Sequence, residues 1–140
     1  MAYNYIEVNF IVNNEFATPK FDAKSFGLEP FELIDSSATM IEVLVQAGIF
    51  PSKNQARSNW KRGVEIPHGC SEWLDIGKAK SCIYIFKPMR LFSEQDIAEW
   101  EEEIVAEKNE WRKNTMETSL RTYKAERLEI QNNGSVSTLG

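Results

Sequence analysis

A small α+β domain is what this sequence predicts, on three observations. Residues 4 to 12 alternate with the period of a half-buried strand. Capping and stop signals bracket short helices in the middle of the chain, and neither Pro nor Gly interrupts the stretch from Ser93 to about Ile130. A length of 140 residues is a single-domain size. The 42% apolar and 11% aromatic content excludes a disordered or low-complexity chain.

The first strand places Ile6, Val8, Phe10 and Val12 on one face, with Glu7 and Asn9 on the other, before a turn at Asn13-Asn14. Thr18 to Pro30 contains Pro19, Gly27 and Pro30 among scattered aromatics and is read as irregular, followed by a short strand at Phe31 to Ile34. Residues 1–39 thus form an N-terminal strand and arm. Three helix starts follow from capping chemistry, in which a hydroxyl accepts from an orphan N–H and a side chain three residues on returns the bond: Thr39 with Glu42, Ser52 with Gln55, and Ser93 with Asp96. Gly48 and Gly63 supply left-handed stops, which gives helices over about 40 to 47 and 53 to 62.

Val64-Glu65-Ile66 and Cys82 to Phe86 read as strands, joined by a loop through Pro67-His68-Gly69, Trp73, Gly77 and Lys78; residues 40–88 make one module. Residues 93–130 read as one long helix, whose 38 residues would span roughly 57 Å at ~1.5 Å each. Ile97, Trp100, Ile104 and Trp111 share a face, and a phase slip after Asn114 leaves room for a bend or second helix near 112 to 115. The stretch 131–140 reads as a flexible tail.

No apolar run reaches the roughly 20 residues a membrane helix needs, and the start MAYNYIEVNF lacks a basic segment followed by an apolar one, so no membrane association is expected. Two cysteines, Cys70 and Cys82, are too few for a disulfide scaffold, which points to a reducing, cytoplasmic compartment. With His68 they make three metal-ligand candidates where a structural zinc site takes four in two close pairs, so neither metal nor any other cofactor is expected.

The net charge of −5 conceals an asymmetry. Residues 1–39 carry −4 and residues 93–130 carry −5, whereas residues 40–88 carry +3 from seven bases and four acids. Within that basic middle, Leu44 and Gly48 close the first helix, Pro51-Ser52-Lys53 open the second, Ala56-Arg57 lie inside it and Gly63-Val64 start a strand, with Ile76-Gly77 and Ile83-Tyr84-Ile85 later. This pattern resembles the RNA-binding domain of ribosomal protein S-four, also found in bacterial tyrosyl-tRNA synthetase tails and pseudouridine synthases. The resemblance covers about residues 40–88. It departs from the family at Trp60, where an aliphatic residue is usual, and at Pro67-His68-Gly69, where an Asn-Gly is usual. It implies a helix-helix-strand module that binds structured RNA without an attached enzyme.

The residues support the same expectation on their own chemistry. On a helix starting at Ser52, Lys53, Arg57 and Lys61 recur every four residues and form a basic ridge with Arg62 beside it. Such a ridge neutralises phosphates while Asn54 and Gln55 reach sugars or bases, and the helix N-terminus at Ser52 favours an anion. Ala56 and Trp60 would anchor the opposite side. The competing reading docks these bases on the chain's own acidic helix at 93 to 110.

The Glu-rich run from Glu99 to Glu110 reads as a solvated face rather than a pair of catalytic carboxylates, and His68 with Cys70 and Asp75 lacks the geometry of a nucleophile and base, so no enzyme activity is expected. Ile97, Trp100, Ile104 and Trp111 read either as core packing or as a surface for a protein partner or self-association. An assembly subunit associating through its C-terminal helix is therefore the second functional expectation. A third is an inhibitor presenting acidic surface to a nucleic-acid-binding partner. The small size and absence of an enzyme motif would suit an accessory or viral protein.

Overall fold

A computed structural model describes residues 4–139, with side chains described through Asn132; Met1 to Tyr3 and Gly140 lie outside the described residues. The fold is α+β, with the order β1 (Glu7–Asn13), α1 (Pro19–Phe26), β2 (Glu32–Asp35), α2 (Met40–Gln46), α3 (Lys53–Asn59), β3 (Gly69–Ile76), β4 (Ser81–Lys87), α4 (Glu94–Ala106) and α5 (Glu110–Leu139). The four strands form one sheet in the order β2-β1-β4-β3. β1 runs parallel to both neighbours, with Phe10 beside Glu32 and beside Ile85, and β3 pairs antiparallel with β4.

Because β1 is central, both of its faces are covered. Phe10 and Val12 point to the main core, built with Met40, Val43 and Leu44 of α2, Ala56 of α3, and Ile83 and Ile85 of β4. Ile11 points to the opposite face and meets Ala23 and Leu28, with Tyr84 and Phe86 packed alongside. The helices α2 and α3 therefore cover one face and α1 the other. The α4–α5 hairpin packs on α1, where Phe21, Phe92, Trp100 and Tyr123 form a ring cluster with centroids 4.8 to 5.9 Å apart.

The residues expected to be irregular at 18 to 30 contain helix α1. Pro19 stands at its first turn, where a missing N–H costs nothing, and Gly27 closes it at φ 66° with Leu28 N–H donating to the Ala23 carbonyl at 2.8 Å. The strand expected at Val64 to Ile66 does not form, and β3 occupies the segment read as a loop. Ser71 and Trp73 of β3 turn inward while Cys70, Glu72 and Leu74 face solvent, the alternation of a one-sided edge strand.

The capping chemistry is realised at Ser93, where hydroxyl and Asp96 carboxylate exchange both bonds, and at Ser52, whose Oγ accepts from Gln55 N–H at 3.2 Å. At Thr39 it is not: the Met40 N–H donates to the Val64 carbonyl at 2.8 Å, so the returning chain caps α2. Gly48, at φ 83°, follows α2 as expected, but α3 ends four residues before Gly63. The cause is Trp60. It leaves the helix in an extended conformation (ψ 115°) so that its indole can enter the core beside Trp73, and its Nε1 then donates to the Gly63 carbonyl at 3.0 Å.

The long helix is two helices, and the break falls at 107 to 109 rather than at 112 to 115. Glu107 is extended, its carboxylate accepts from Asn109 N–H, and the Asn109 Oδ1 accepts from Arg112 N–H at 3.0 Å to start α5. Reversal at this point lets Ile104, Leu120 and Tyr123 all reach buried positions. The flexible tail expected from Gln131 instead begins inside α5, because extending an existing helix is far easier than nucleating one. Among the described residues no helix is long and apolar enough to cross a membrane.

Candidate nucleic-acid interface

The helix α3 is about two turns of mostly exposed side chains on a fixed root. Ala56 is fully buried beneath it and Trp60 is buried at its end, while Lys53, Asn54, Gln55 and Arg57 are exposed, as is the cap Ser52. The helix is amphipathic by necessity, since seven residues with one buried alanine hold no independent stability and depend on the anchor at Trp60.

The expected ridge of Lys53, Arg57 and Lys61 is divided. Lys53 and Arg57 line a groove of about 320 Å³ with Glu42 and Val64. Lys61 and Arg62 lie beyond the end of α3 and line the opposite side, a cleft of about 840 Å³ that also receives Gln55 and Asn59. The chain turn at Trp60 causes this division, because an extended residue redirects the next side chains away from the helical stripe. Cations consequently flank α3 on both sides.

Arg62 is held more tightly than the other three cations. Its Nη2 donates to the Leu74 carbonyl of edge strand β3 at 2.8 Å, and its guanidinium lies 5.1 Å from the Trp60 ring centre. It covers a sheet edge rather than projecting freely. Arg57 Nη1 donates weakly to Asn54 Oδ1 at 3.4 Å, which steadies the guanidinium along the helix.

The competing reading, in which these bases dock on the acidic helix, has a specific structural counterpart that is not observed. Ion pairs are made by Lys20, Arg90, Arg112 and Lys124, and none of these cations belongs to the α3 ridge. The acidic α4 packs in the layer beyond α1, on the other side of the sheet from α3. The charge asymmetry along the sequence thus becomes an asymmetry between two faces of the molecule.

The cleft adds Asn59, which sequence reasoning left out. Asn59 stands four residues after Gln55, so both amides share one helix side, and that spacing was the available signal. Its Nδ2 donates to the Gln55 carbonyl at 2.8 Å. The apolar wall of the same cleft comes from Ile49, Phe50 and Pro51 in the α2–α3 connection.

The expected partner stripe is dismantled by the helix break. Trp100 packs 5.7 Å from Phe21 and 5.6 Å from Phe92, Ile104 is buried, and Ile97 is half-buried, so these three serve mainly the chain's own packing. Trp111 lies on α5, not α4, and is 75% exposed. His68 is exposed before β3, and Cys70 and Cys82 are unpaired on β3 and β4. Partial burial pushes the Cys70 thiol above its ordinary value, the opposite of the shift that activates a nucleophile.

Comparison with protein-family models finds no match to this chain, and comparisons with curated proteins and with solved structures find none either.

Proposed function

We propose that this chain binds structured RNA, or another structured nucleic acid, without enzymatic activity, through the cations around α3. The observation that carries the reading is the exposure of Lys53, Arg57 and Lys61 with no carboxylate of the described residues in ion-pair contact with them. Phosphates on either side of the helix would meet Lys53 and Arg57 on one flank and Lys61 on the other. Gln55 and Asn59 present amide groups into the cleft, where ribose hydroxyls or base edges would find hydrogen-bond partners. The resemblance of the α2–α3 segment to the S-four type RNA-binding domain points the same way, although the strand that the resemblance implies at Val64 does not form. The acidic α4 lies away from this face, so the overall charge of −5 opposes an approaching polyanion only at long range, where salt screens it.

The two free thiols suit a reducing, cytoplasmic location. Fluorescence anisotropy with a labelled structured RNA, titrated from low to high salt, tests the reading. Three phosphate contacts give a log–log salt slope of magnitude about 2 to 3. No binding of RNA or DNA at low salt overturns it.

A further inference from the structure

We propose that the cleft beside α3 holds a single unpaired guanine nucleotide of the bound RNA, read by the carboxylate of Asp75; the inference rests on the RNA-binding reading of the same face. The cleft, about 840 Å³, falls within the range of about 300 to 1,000 Å³ that small-ligand sites occupy. Its apolar wall contains Phe50, half-buried at the margin of the main core, which supplies an aromatic surface for a base. Asp75 reaches the cleft because β3 carries one extra residue here. Trp73 pairs with Ile83 and Ile76 with Ser81, a step of three residues on β3 against two on β4. Asp75 absorbs the bulge at φ 55°, a left-handed conformation that aspartate tolerates better than most residues. Ile76 thereby stays in the core, and Asp75 is left exposed on the cleft lining, in no ion pair among the described residues.

The chemistry of the lining selects the base. Lys61, Arg62 and Lys78 line the cleft against the single carboxylate of Asp75, so a cationic ligand is disfavoured and an anionic one is not. That carboxylate only accepts hydrogen bonds and repels phosphate, so what meets it must be a donor carried by an otherwise anionic ligand. The Watson–Crick edge of guanine presents two adjacent donors, N1–H and N2–H, which one carboxylate accepts together. Uracil offers one donor there. Adenine and cytosine place a ring-nitrogen acceptor beside their amino group, against the carboxylate lone pairs. Gln55 uses its backbone N–H and carbonyl in bonds to Ser52 and Asn59, which leaves its side-chain amide to donate to guanine O6. Lys61 lies on the same lining, where it can meet the phosphate of that nucleotide. In a duplex the guanine edge is occupied by its pairing partner, so these groups have a use only for a base outside the stack.

Fluorescence anisotropy at low salt, with a labelled RNA hairpin either fully paired or carrying one bulged G, A, C or U in the same stem, tests the assignment. The bulged-G hairpin should bind the full chain about tenfold more tightly than the bulged-A hairpin, the discrimination of one two-bond base contact. Asp75→Asn should bring those two affinities together. Loss of a negative charge beside cations would by itself strengthen every hairpin equally, so the ratio of G to A separates recognition from charge. Asparagine adopts the left-handed conformation as readily as aspartate, so the variant should keep the parent's unfolding midpoint. Equal binding of all the hairpins, a preference for another bulged base, or a ratio that Asp75→Asn leaves intact overturns the guanine site while RNA binding itself stands. Binding of none of them overturns both.

Discussion

The carboxylate of Glu126 on α5 accepts the backbone N–H of Phe21, 105 residues earlier, at 3.0 Å, and its second oxygen accepts the N–H of Lys20 at 2.8 Å. Two of the orphan donors at the start of α1 are thus satisfied from another helix, while Thr18 makes no side-chain capping bond. Glu126 is 7% exposed, and each of its two carboxylate oxygens is occupied by one of these N–H groups. Glu126→Ala removes the acceptor and leaves both part-buried donors without a partner, at a cost of about 1 to 3 kcal/mol. Glu126→Gln keeps one acceptor and should recover part of that loss. Urea unfolding of the two variants measures the difference, and equal midpoints for parent and Glu126→Ala would remove the capping role.

Asp22, one turn into α1, gives the fold a pH dependence. Burial pushes its carboxyl up to about 6, against the opposing bonds from the Thr18 N–H and hydroxyl, with the nearby Glu126 charge adding to the rise. A carboxyl whose folded value is raised holds its proton more tightly in the folded chain. Its contribution is fully present below about pH 4, is lost as pH rises toward 6, and leaves a penalty above that. Asp22→Asn should therefore stabilise the protein at pH 7 by up to about 3 kcal/mol and have little effect at pH 4. Unfolding free energies of parent and variant at both pH values give the difference, and a gain that is equal at both would exclude titration of Asp22 as its source.

These two acids show why part of the fold was legible and part was not. The alternation in β1, the Ser93–Asp96 box and the apolar run of β4 are local signals, and each leads to the element it predicts. Helix α1 was hidden because Pro19 and Gly27 break a helix at its centre but begin and end one at its margins, and the distinction depends on their distance apart. Its cap, Glu126, has no local signature at all. At the candidate interface the residue types were readable, but the split of the ridge was not, since it depends on Trp60 finding Trp73 across the core. The break at Glu107 to Asn109 was signalled only by an asparagine able to cap α5.

The two tryptophans once expected on a single stripe should now behave differently. Trp100 contacts the Phe21 and Phe92 rings and joins α4 to the α1 layer. Trp100→Ala should cost about 2 to 3 kcal/mol, below the range for a fully buried aromatic because the side chain is half-buried. Trp111, 75% exposed, should tolerate alanine within about 0.5 kcal/mol. Thermal unfolding of each variant compares them, and similar losses at both positions would mean that α4 and α5 pack otherwise than described.

The cations around α3 divide into Lys53, Arg57 and Lys61, proposed to meet phosphates, and Arg62, which braces the sheet edge. Arg57→Glu combined with Lys61→Glu places two negative charges on opposite flanks of α3, where neither parent side chain is in an ion pair among the described residues. RNA affinity should fall below detection while the unfolding midpoint stays near that of the parent. Arg62→Ala should act the other way. It frees the Leu74 carbonyl at the β3 edge and removes a cation from the Trp60 face, so stability should fall by about 1 to 2 kcal/mol, with a smaller loss of affinity. Anisotropy titrations and urea unfolding on the same preparations separate the two effects. If the double reversal leaves RNA affinity unchanged, the flanks of α3 are not where the phosphates bind.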